Sequence, residues 1–400
     1  MTVAIDAPVR PPLDRPWLLI ALGGLTVGAL LIGWAVDGRQ AALFLLGGFL
    51  GVALYHAAFG FTGGWRALVV ERRGAGVRAQ LLAIGLALVA FTPILASGSV
   101  MGQSVVGAVA PVGVSVFLGA LLFGLGMQLG GGCGSGTLFT AGGGNARMLI
   151  TLAFFVVGAV VGTAHLPAWL ALPSLPPMAL GTVFGPWVAM LTQLAVLAGL
   201  AWLTWAMEQR RWGGSAPTPH RVGDGTPWTE RLLQGPWPLL WGAVALAAGN
   251  LATLLLAGHP WSITFAFGLW GAKVTQAIGV DVAAWPFWAA GYSAQALASS
   301  VLQDVTSVMN FGLILGALAA AGLAGKVAPD VPVPTRSLLA AAIGGLLMGY
   351  GARLAFGCNI GALFSGIASG SLHGWLWLLA AFIGSMVGIR LRPWFGLANR

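Results

Sequence analysis

The sequence predicts an all-α polytopic membrane protein. It is read as an inverted repeat of transmembrane helices whose re-entrant half-helices and Gly-rich loops converge near the midplane. Three observations predict this. First, only 7% of residues are charged, 58% are hydrophobic and the mean hydropathy is +0.89. Soluble domains carry about 25% charged residues, so repeated uncharged runs read as membrane helices. Second, Gly124-Leu-Gly-Met-Gln-Leu-Gly-Gly-Gly-Cys-Gly-Ser-Gly136 recurs as Gly349-Tyr-Gly-Ala-Arg-Leu-Ala-Phe-Gly-Cys-Asn-Ile-Gly361 at an offset of 225 positions. Third, the basic residues sit in short clusters between apolar runs, as the positive-inside rule expects. The formal net charge of +9 is therefore a topology signal and not a nucleic-acid footprint. The 62 glycines point to close helix packing and broken helices.

Each element follows from this pattern. Residues 1–16 are a short polar tail, and Pro16 to Val36 is a retained first membrane helix and not a cleaved signal. Asp37-Gly-Arg-Gln40 is a tight turn before the helix Ala41 to Ala58. Leu81 to Leu95 is the next helix. Ser97 to Pro111 is too short and polar to span and reads as a re-entrant or surface segment. Val112 to Leu129 leads into the first Gly-Cys stretch. There glycine costs roughly 1 kcal/mol per helical position relative to alanine, so the helix breaks, a loop holds Cys133, and a new helix starts near Ser135. Met148 to Ala164 and Pro186 to Met207 span, with a Pro-rich loop from Pro167 to Pro177 between them.

Residues 208–236 are the most polar stretch of the chain, with Arg210, Arg211, Arg221 and Arg231, and divide it into an N-terminal repeat (1–207) and a C-terminal inverted repeat (237–400). In the second half Trp237 to Ala257, Val305 to Ala324, Ser337 to Ala355 and Trp375 to Ile389 span. Trp285 to Gln303 is re-entrant or buried in protein. Gly158 and Gly162 match Gly384 and Gly388 with one residue inserted. If neither 97–111 nor 285–303 crosses, then Arg66 to Arg78, the linker, Lys326 with Arg336, and Arg390, Arg392 and Arg400 fall on one side, Arg39 being the exception. Both termini are then cytoplasmic. The helix entering Cys133 runs inward and the helix entering Cys358 runs outward. Inverted repeats of broken helices are a transporter signature.

Cys133 and Cys358 are the only two cysteines and occupy equivalent breaks. A free cysteine is often a plain small hydrophobe, and the glycines beside these could serve helix packing alone. The symmetry of the pair favours a role at a pathway. A thiol in apolar surroundings stays protonated and is a weak donor, which suits an anion that must be held without being trapped. Backbone N–H groups at a half-helix start, aided by the helix dipole, can replace the rest of its hydration. The binding candidates are thus Cys133, Cys358, Gly132, Gly134, Ser135, Gly136, Gly357, Asn359 and Gly361. A second motif, Ala58-Phe-Gly-Phe-Thr-Gly-Gly-Trp65, matches Ala266-Phe-Gly-Leu-Trp-Gly-Ala-Lys273 at its start. It makes Phe59, Gly60, Phe267 and Gly268 gate candidates or core residues. Lys273 and Arg353 are costly charges beside breaks, or snorkelling ones. Asp304 and Asp281 read as helix caps.

On these motifs the sequence resembles the YeeE/YedE family of bacterial inner-membrane sulfur transporters, over most of its length. The resemblance implies uptake of a small sulfur-containing anion, thiosulfate foremost, with cysteines in the converging loops relaying it through S–H contacts. Those roles fall on Cys133 and Cys358. It also implies an inner-membrane location in a lipid bilayer, and as a partner a small cytoplasmic sulfur carrier of the TusA type. Family thiosulfate transporters have a further cysteine toward the outer entrance, and this sequence has none. A three-thiol relay in that form is ruled out, and another sulfur or selenium compound becomes an alternative cargo. Two other readings stand beside transport of a sulfur anion: a membrane thiol–disulfide oxidoreductase using Cys133 and Cys358, and a Cu(I) transporter binding through both thiolates. No nucleotide motif, haem ligand pattern or Ser/His/Asp set is visible, so no cofactor and no ordinary enzyme class is expected.

Overall fold

The computed structural model describes residues 12–100, 102–214, 216, 226–327 and 332–399. The tail before Pro12, Arg221 and Arg400 lie outside the described residues. The described chain is almost entirely helical. In order it forms α1 (Arg15–Ala35), α2 (Gly38–His56), α3 (Phe61–Glu71), α4 (Ala75–Ser97), α5 (Val114–Gly130), α6 (Gly134–Gly142), α7 (Ala146–Leu170), α8 (Leu180–Phe184), α9 (Pro186–Trp212), α10 (Trp228–Gln234), α11 (Leu239–Ala257), α12 (Thr264–Ala277), α13 (Gly291–Ala298), α14 (Val305–Leu323) and α15 (Thr335–Leu354). After a break at residues 355–358 come a π-helical stretch, Asn359–Phe364, and α16 (Ser365–Ala368), and α17 (Leu372–Leu391) follows. Among the described residues ten helices are long and apolar enough to cross a membrane, and each contains one of the apolar runs read above.

Local chemistry sets the boundaries. Asp37 caps α2 by accepting Gln40 N at 2.7 Å, and Asp304 caps α14 by accepting Ser307 N at 2.8 Å; both satisfy an orphan N–H of a first turn. Asp281 makes no side-chain cap bond. Gly131 (φ +92°) ends α5 and Gly258 (φ +75°) ends α11, where a left-handed residue lets the chain leave the helix.

Several boundaries differ from expectation. Helix α4 starts at Ala75, because Arg78 in its first turns pairs with the buried carboxylate of Glu208 at 2.6 Å. Helix α7 runs through Pro167 to Leu170; Trp169 and His165 in its last turns hold the Tyr350 hydroxyl at 2.8 and 3.2 Å. Glu208, expected to open a linker, lies in α9. Residues 97–111 hold a small hairpin, β1 (Ser99–Val100) against β2 (Gln103–Ser104). The segment 285–303 holds the short α13 and a single 3-10 turn, Val301–Gln303, and no helix long enough to span.

The core packs through glycine, and the contacts reveal its symmetry. Along α5 and α15, Gly119 meets Gly351 and Leu354 while Gly126 meets Gly344 and Leu347, so the two helices run antiparallel. A methyl on Gly351 would strike the Gly119 carbonyl, and one on Gly126 would lie 2.7 Å from the Gly344 carbonyl. The flanking contacts repeat with partners exchanged. Gly384 of α17 faces the Leu121 carbonyl, and Gly158 of α7 faces that of Leu346. Gly388 abuts the Gln128 side chain, and Gly162 that of Arg353. Each pair of contacts is related by the sequence offset, which is what a two-fold axis between α5 and α15 produces. Helices α2 and α14 also pack through glycine, but parallel: Gly47 meets Met309 and Gly51 meets Leu313, while Gly312 meets Phe44 and Gly316 meets Gly48. Where no hydrophobic force separates helix from lipid, such close approach supplies the association energy.

Candidate functional site

Each cysteine is the residue immediately before a half-helix. Cys133 precedes α6 with φ −84° and ψ −166°, and Cys358 precedes the π-helical stretch with φ −113° and ψ −165°. Their carbonyls accept the first helical bonds, from Thr137 N at 2.8 Å and Ala362 N at 2.9 Å. Gly132 and Gly357 serve this turn identically. A methyl on Gly132 would lie 2.9 Å from Thr137 N, and one on Gly357 2.8 Å from Ala362 N. The chain passes against its own next turn there, and only glycine fits.

The two breaks meet. A methyl added at Gly134 would lie 3.1 Å from Cys358 Sγ, and one at Gly136 3.5 Å from Cys133 Sγ. Both thiols are free and at most 1% exposed, and Cys133 Sγ contacts Ser135 Oγ at 3.5 Å. Two helix N-termini therefore face each other across the sulfurs. The N–H groups of Gly134, Ser135 and Gly136 on one side, and of Asn359, Ile360 and Gly361 on the other, belong to first turns that offer them no intrahelical acceptor. Both positive dipole ends point at the same place.

A third break joins them. Ile263 and Thr264, at the start of α12, lie 3.3 and 3.5 Å from the Gly134 position, and Ser262 Oγ lies 3.2 Å from that of Gly361. Asn310 of α14 donates to the Ile263 carbonyl at 3.0 Å. Asn250 of α11 accepts Trp261 N at 2.8 Å and donates to Ser365 Oγ at 3.1 Å. The network leaves buried atoms without a hydrogen-bond partner: Thr137 Oγ1, Thr264 Oγ1, Asn310 Oδ1 and both amide atoms of Asn359. Each such atom costs about 1–3 kcal/mol and is a ready contact for a polar guest. Asn250, Thr264, Asn310 and Ser365 went unread in the sequence; an Asn inside an uncharged helix was the available signal.

The charged and aromatic candidates separate. Arg353 is buried in the last turn of α15, five residues ahead of Cys358, its Cζ 5.5 Å from the Phe287 ring and 6.0 Å from that of Phe265, with Nε unpartnered. Gly268 lies beside it, its methyl position 3.8 Å from Arg353 Nη1. Lys273 instead donates to the carbonyls of Leu297 and Ser299 at 2.8 and 2.6 Å, capping the end of α13. Phe59 and Gly60 lie in the break before α3, whereas Phe267 and Gly268 lie inside α12. The Ala-Phe-Gly match is thus one of sequence and not of position, because α12 starts two residues ahead of its copy. Both rings are buried, Phe267 against Phe155 at 4.8 Å and Phe59 against Phe61 at 6.1 Å. A cavity of about 310 Å³ lies farther along, against Ser369, Gly370, Thr92 and Gln193, and neither cysteine lines it. Among the described residues no three His, Cys, Asp or Glu gather as a metal site would need.

A family model described as sulphur transport matches residues 56–387, a stretch that contains every residue of this site. The chain belongs to the sulphur transport family. Among curated relatives of the family, a probable transporter YedE from Escherichia coli (strain K12) is 37% identical over 147 residues, 36% of this chain and 36% of that protein. The chain thus spans about a third of the length of that relative. The thiosulfate transporter TsuA from Spirochaeta thermophila is 28% identical over 283 residues, 66% of this chain and 73% of that protein. TsuA from Escherichia coli (strain K12) is 25% identical over 350 residues, 85% of this chain and 91% of that protein.

Proposed function

We propose that this chain carries a small sulfur-containing anion, thiosulfate foremost, across the bacterial inner membrane. The observation that supports it best is the contact between Cys358 Sγ and Gly134, the first residue of the half-helix that Cys133 opens. In this reading the anion passes between two neutral thiols. The N–H groups of Gly134, Ser135 and Gly136 and of Asn359, Ile360 and Gly361 replace its lost water, and Gly132 and Gly357 let the turns close. Neutral weak donors hold the ion without trapping it. Arg353 offsets its charge from the last turn of α15, and Phe59 and Phe267 are the apolar constrictions. The relatives named for thiosulfate support this cargo. With an even number of spans both termini lie on one side, taken as cytoplasmic, where a carrier of the TusA type receives the sulfur.

The test is uptake of labelled thiosulfate in a strain without other sulfate and thiosulfate systems. Cys133→Ala and Cys358→Ala should each abolish uptake while inserting normally; normal uptake by both removes the thiols from the mechanism. One observation favours a second reading, a redox pair: Cys358 lies against Gly134, the residue next to Cys133. A disulfide between Cys133 and Cys358 that forms under mild oxidant and breaks on reduction, with no labelled anion carried in either state, would move the assignment to it.

A further inference from the structure

The pathway proposed above has a buried cation beside one thiol only. The position equivalent to Arg353 on the Cys133 side is Gln128, which is neutral and donates to the Thr62 carbonyl at 3.1 Å and to Ser385 Oγ at 2.7 Å. Three arginines from three other elements gather there instead. Arg147, in the first turn of α7, donates from Nη1 to Gly130 O and from Nη2 to Leu129 O, both at 2.6 Å. Arg392, just beyond α17, donates from Nη1 to Gln128 O at 2.6 Å. Three consecutive carbonyls at the C-terminus of α5 thus carry two guanidinium groups. Arg66 follows Thr62 by one turn on α3, and Thr62 itself touches Gln128. Arg66 and Arg147 both lie near enough to Arg392 for their charges to repel it.

Among the described residues none of the three arginines makes an ion pair. Glu71, within electrostatic reach of Arg66, is held by Arg73 at 3.1 Å, and Glu208 by Arg78 at 2.6 Å. The α5 terminus supplies only about half a negative charge. Each guanidinium has five N–H donors in a fork that fits an oxyanion; all three nitrogens of Arg147 and of Arg392 already donate once or more, Nε to Ser337 and to Ala398 and Asn399 respectively, leaving each a second N–H on Nη1 and Nη2, while Arg66 makes none of the bonds described. The cluster also adjoins the route to Cys133. Gly131, two residues ahead of that thiol, is exposed, and a methyl on it would lie 2.6 Å from Arg147 Nη1. The Thr62 hydroxyl is buried there without a partner.

We propose that Arg66, Arg147 and Arg392 form a second anion site, at the mouth beside Gly131, for a small divalent oxyanion such as thiosulfate or sulfate. Its role as the waiting point before or after Cys133 rests on the pathway reading; the binding itself rests on the three guanidinium groups. Arg66 is the free member, and Arg147 and Arg392 also hold the helix end.

The full-length protein in lipid nanodiscs is treated with phenylglyoxal, and arginine modification is read by peptide mass spectrometry. Sodium thiosulfate or sulfate is compared with chloride at equal ionic strength. Either divalent oxyanion should slow modification of Arg66 about ten-fold, the scale of one charge-assisted hydrogen bond. Protection should persist in a C133S/C358S variant, where no thiol holds the ion. In that background Arg66→Gln should weaken equilibrium binding of labelled thiosulfate about ten-fold at unchanged thermal stability, and Arg66→Lys should restore some of it. Equal modification in oxyanion and chloride, loss of protection without the thiols, or unchanged binding by Arg66→Gln each overturns the site. Failure of the pathway reading is a separate result: normal uptake by both alanine variants, with Arg66 still protected.

Discussion

Gly134 holds Cys358 at the threshold of a neighbouring helix: a single methyl on Gly134 would sit 3.1 Å from the Cys358 sulfur. The residue that starts one half-helix is therefore the wall of the other half's thiol. Gly134→Ala should push the sulfur aside and cover the N–H groups of its own first turn. The expected result is a loss of thiosulfate uptake of at least ten-fold with normal insertion, at a stability cost of about 1–3 kcal/mol for overpacking. Wild-type uptake by this variant would mean that the threshold carries no traffic.

Glycines far from the thiols should behave according to what faces them. Gly124 lies against the Ala381 carbonyl and Gly349 against that of Phe155, so alanine at either must push a pair of helices apart. Each should lower stability by roughly 2 kcal/mol or more, read as a drop in thermal midpoint in detergent. Gly199, inside α9, has nothing within 4 Å of an added methyl. Gly199→Ala should leave the midpoint unchanged or raise it by up to about 1 kcal/mol.

These contacts show what could be read from the chain alone. The apolar runs, the Gly-Cys breaks and the offset between Cys133 and Cys358 are written in residue type, because lipid forbids charge and helices forbid glycine runs. Gly158 and Gly384 could be paired by sequence, and their mirrored contacts with Leu346 and Leu121 follow. The sequence matched Phe267 to Phe59, but the third break lies just ahead of it, before Thr264. Residues Gly258 to Ile263, which interrupt the helix, carry no motif in common with Ala57 to Gly60, and a shared Ala-Phe-Gly drew the alignment off by a turn. The partners of Asn250 and Asn310 are set by crossings between helices distant in sequence, and no local pattern encodes a crossing. Lys273 and Arg353 looked alike in sequence for the same reason: only the α13 carbonyls distinguish them.

That distinction is testable. Arg353→Gln restores the residue type of its repeat mate Gln128 and should fold. It should lose uptake by ten-fold or more, since Lys273, the other charged candidate, is held at the end of α13. Lys273→Met removes two charge-assisted bonds to the end of α13, at Leu297 and Ser299, and should cost about 1–3 kcal/mol of stability while uptake per folded molecule stays near wild type. The reverse pattern would exchange their roles.

The repeat also predicts a strained residue. Gly131 and Phe356 occupy equivalent places two residues ahead of the cysteines, and both have positive φ, +92° and +58°. Glycine takes that conformation freely, whereas a side chain there costs roughly 1–2 kcal/mol. Phe356 leaves 37% of its surface outside the protein's own packing, and a strained residue two positions ahead of Cys358 is where a functional constraint would hold it. Phe356→Gly should raise the thermal midpoint by the equivalent of about 1 kcal/mol. It should also open the Cys358 thiol to a membrane-impermeant maleimide, which reaches it slowly if at all in the wild type. A stabilised variant with no change in labelling would leave the ring without a gating function, and a destabilised one would show that the ring packs against a partner in the membrane.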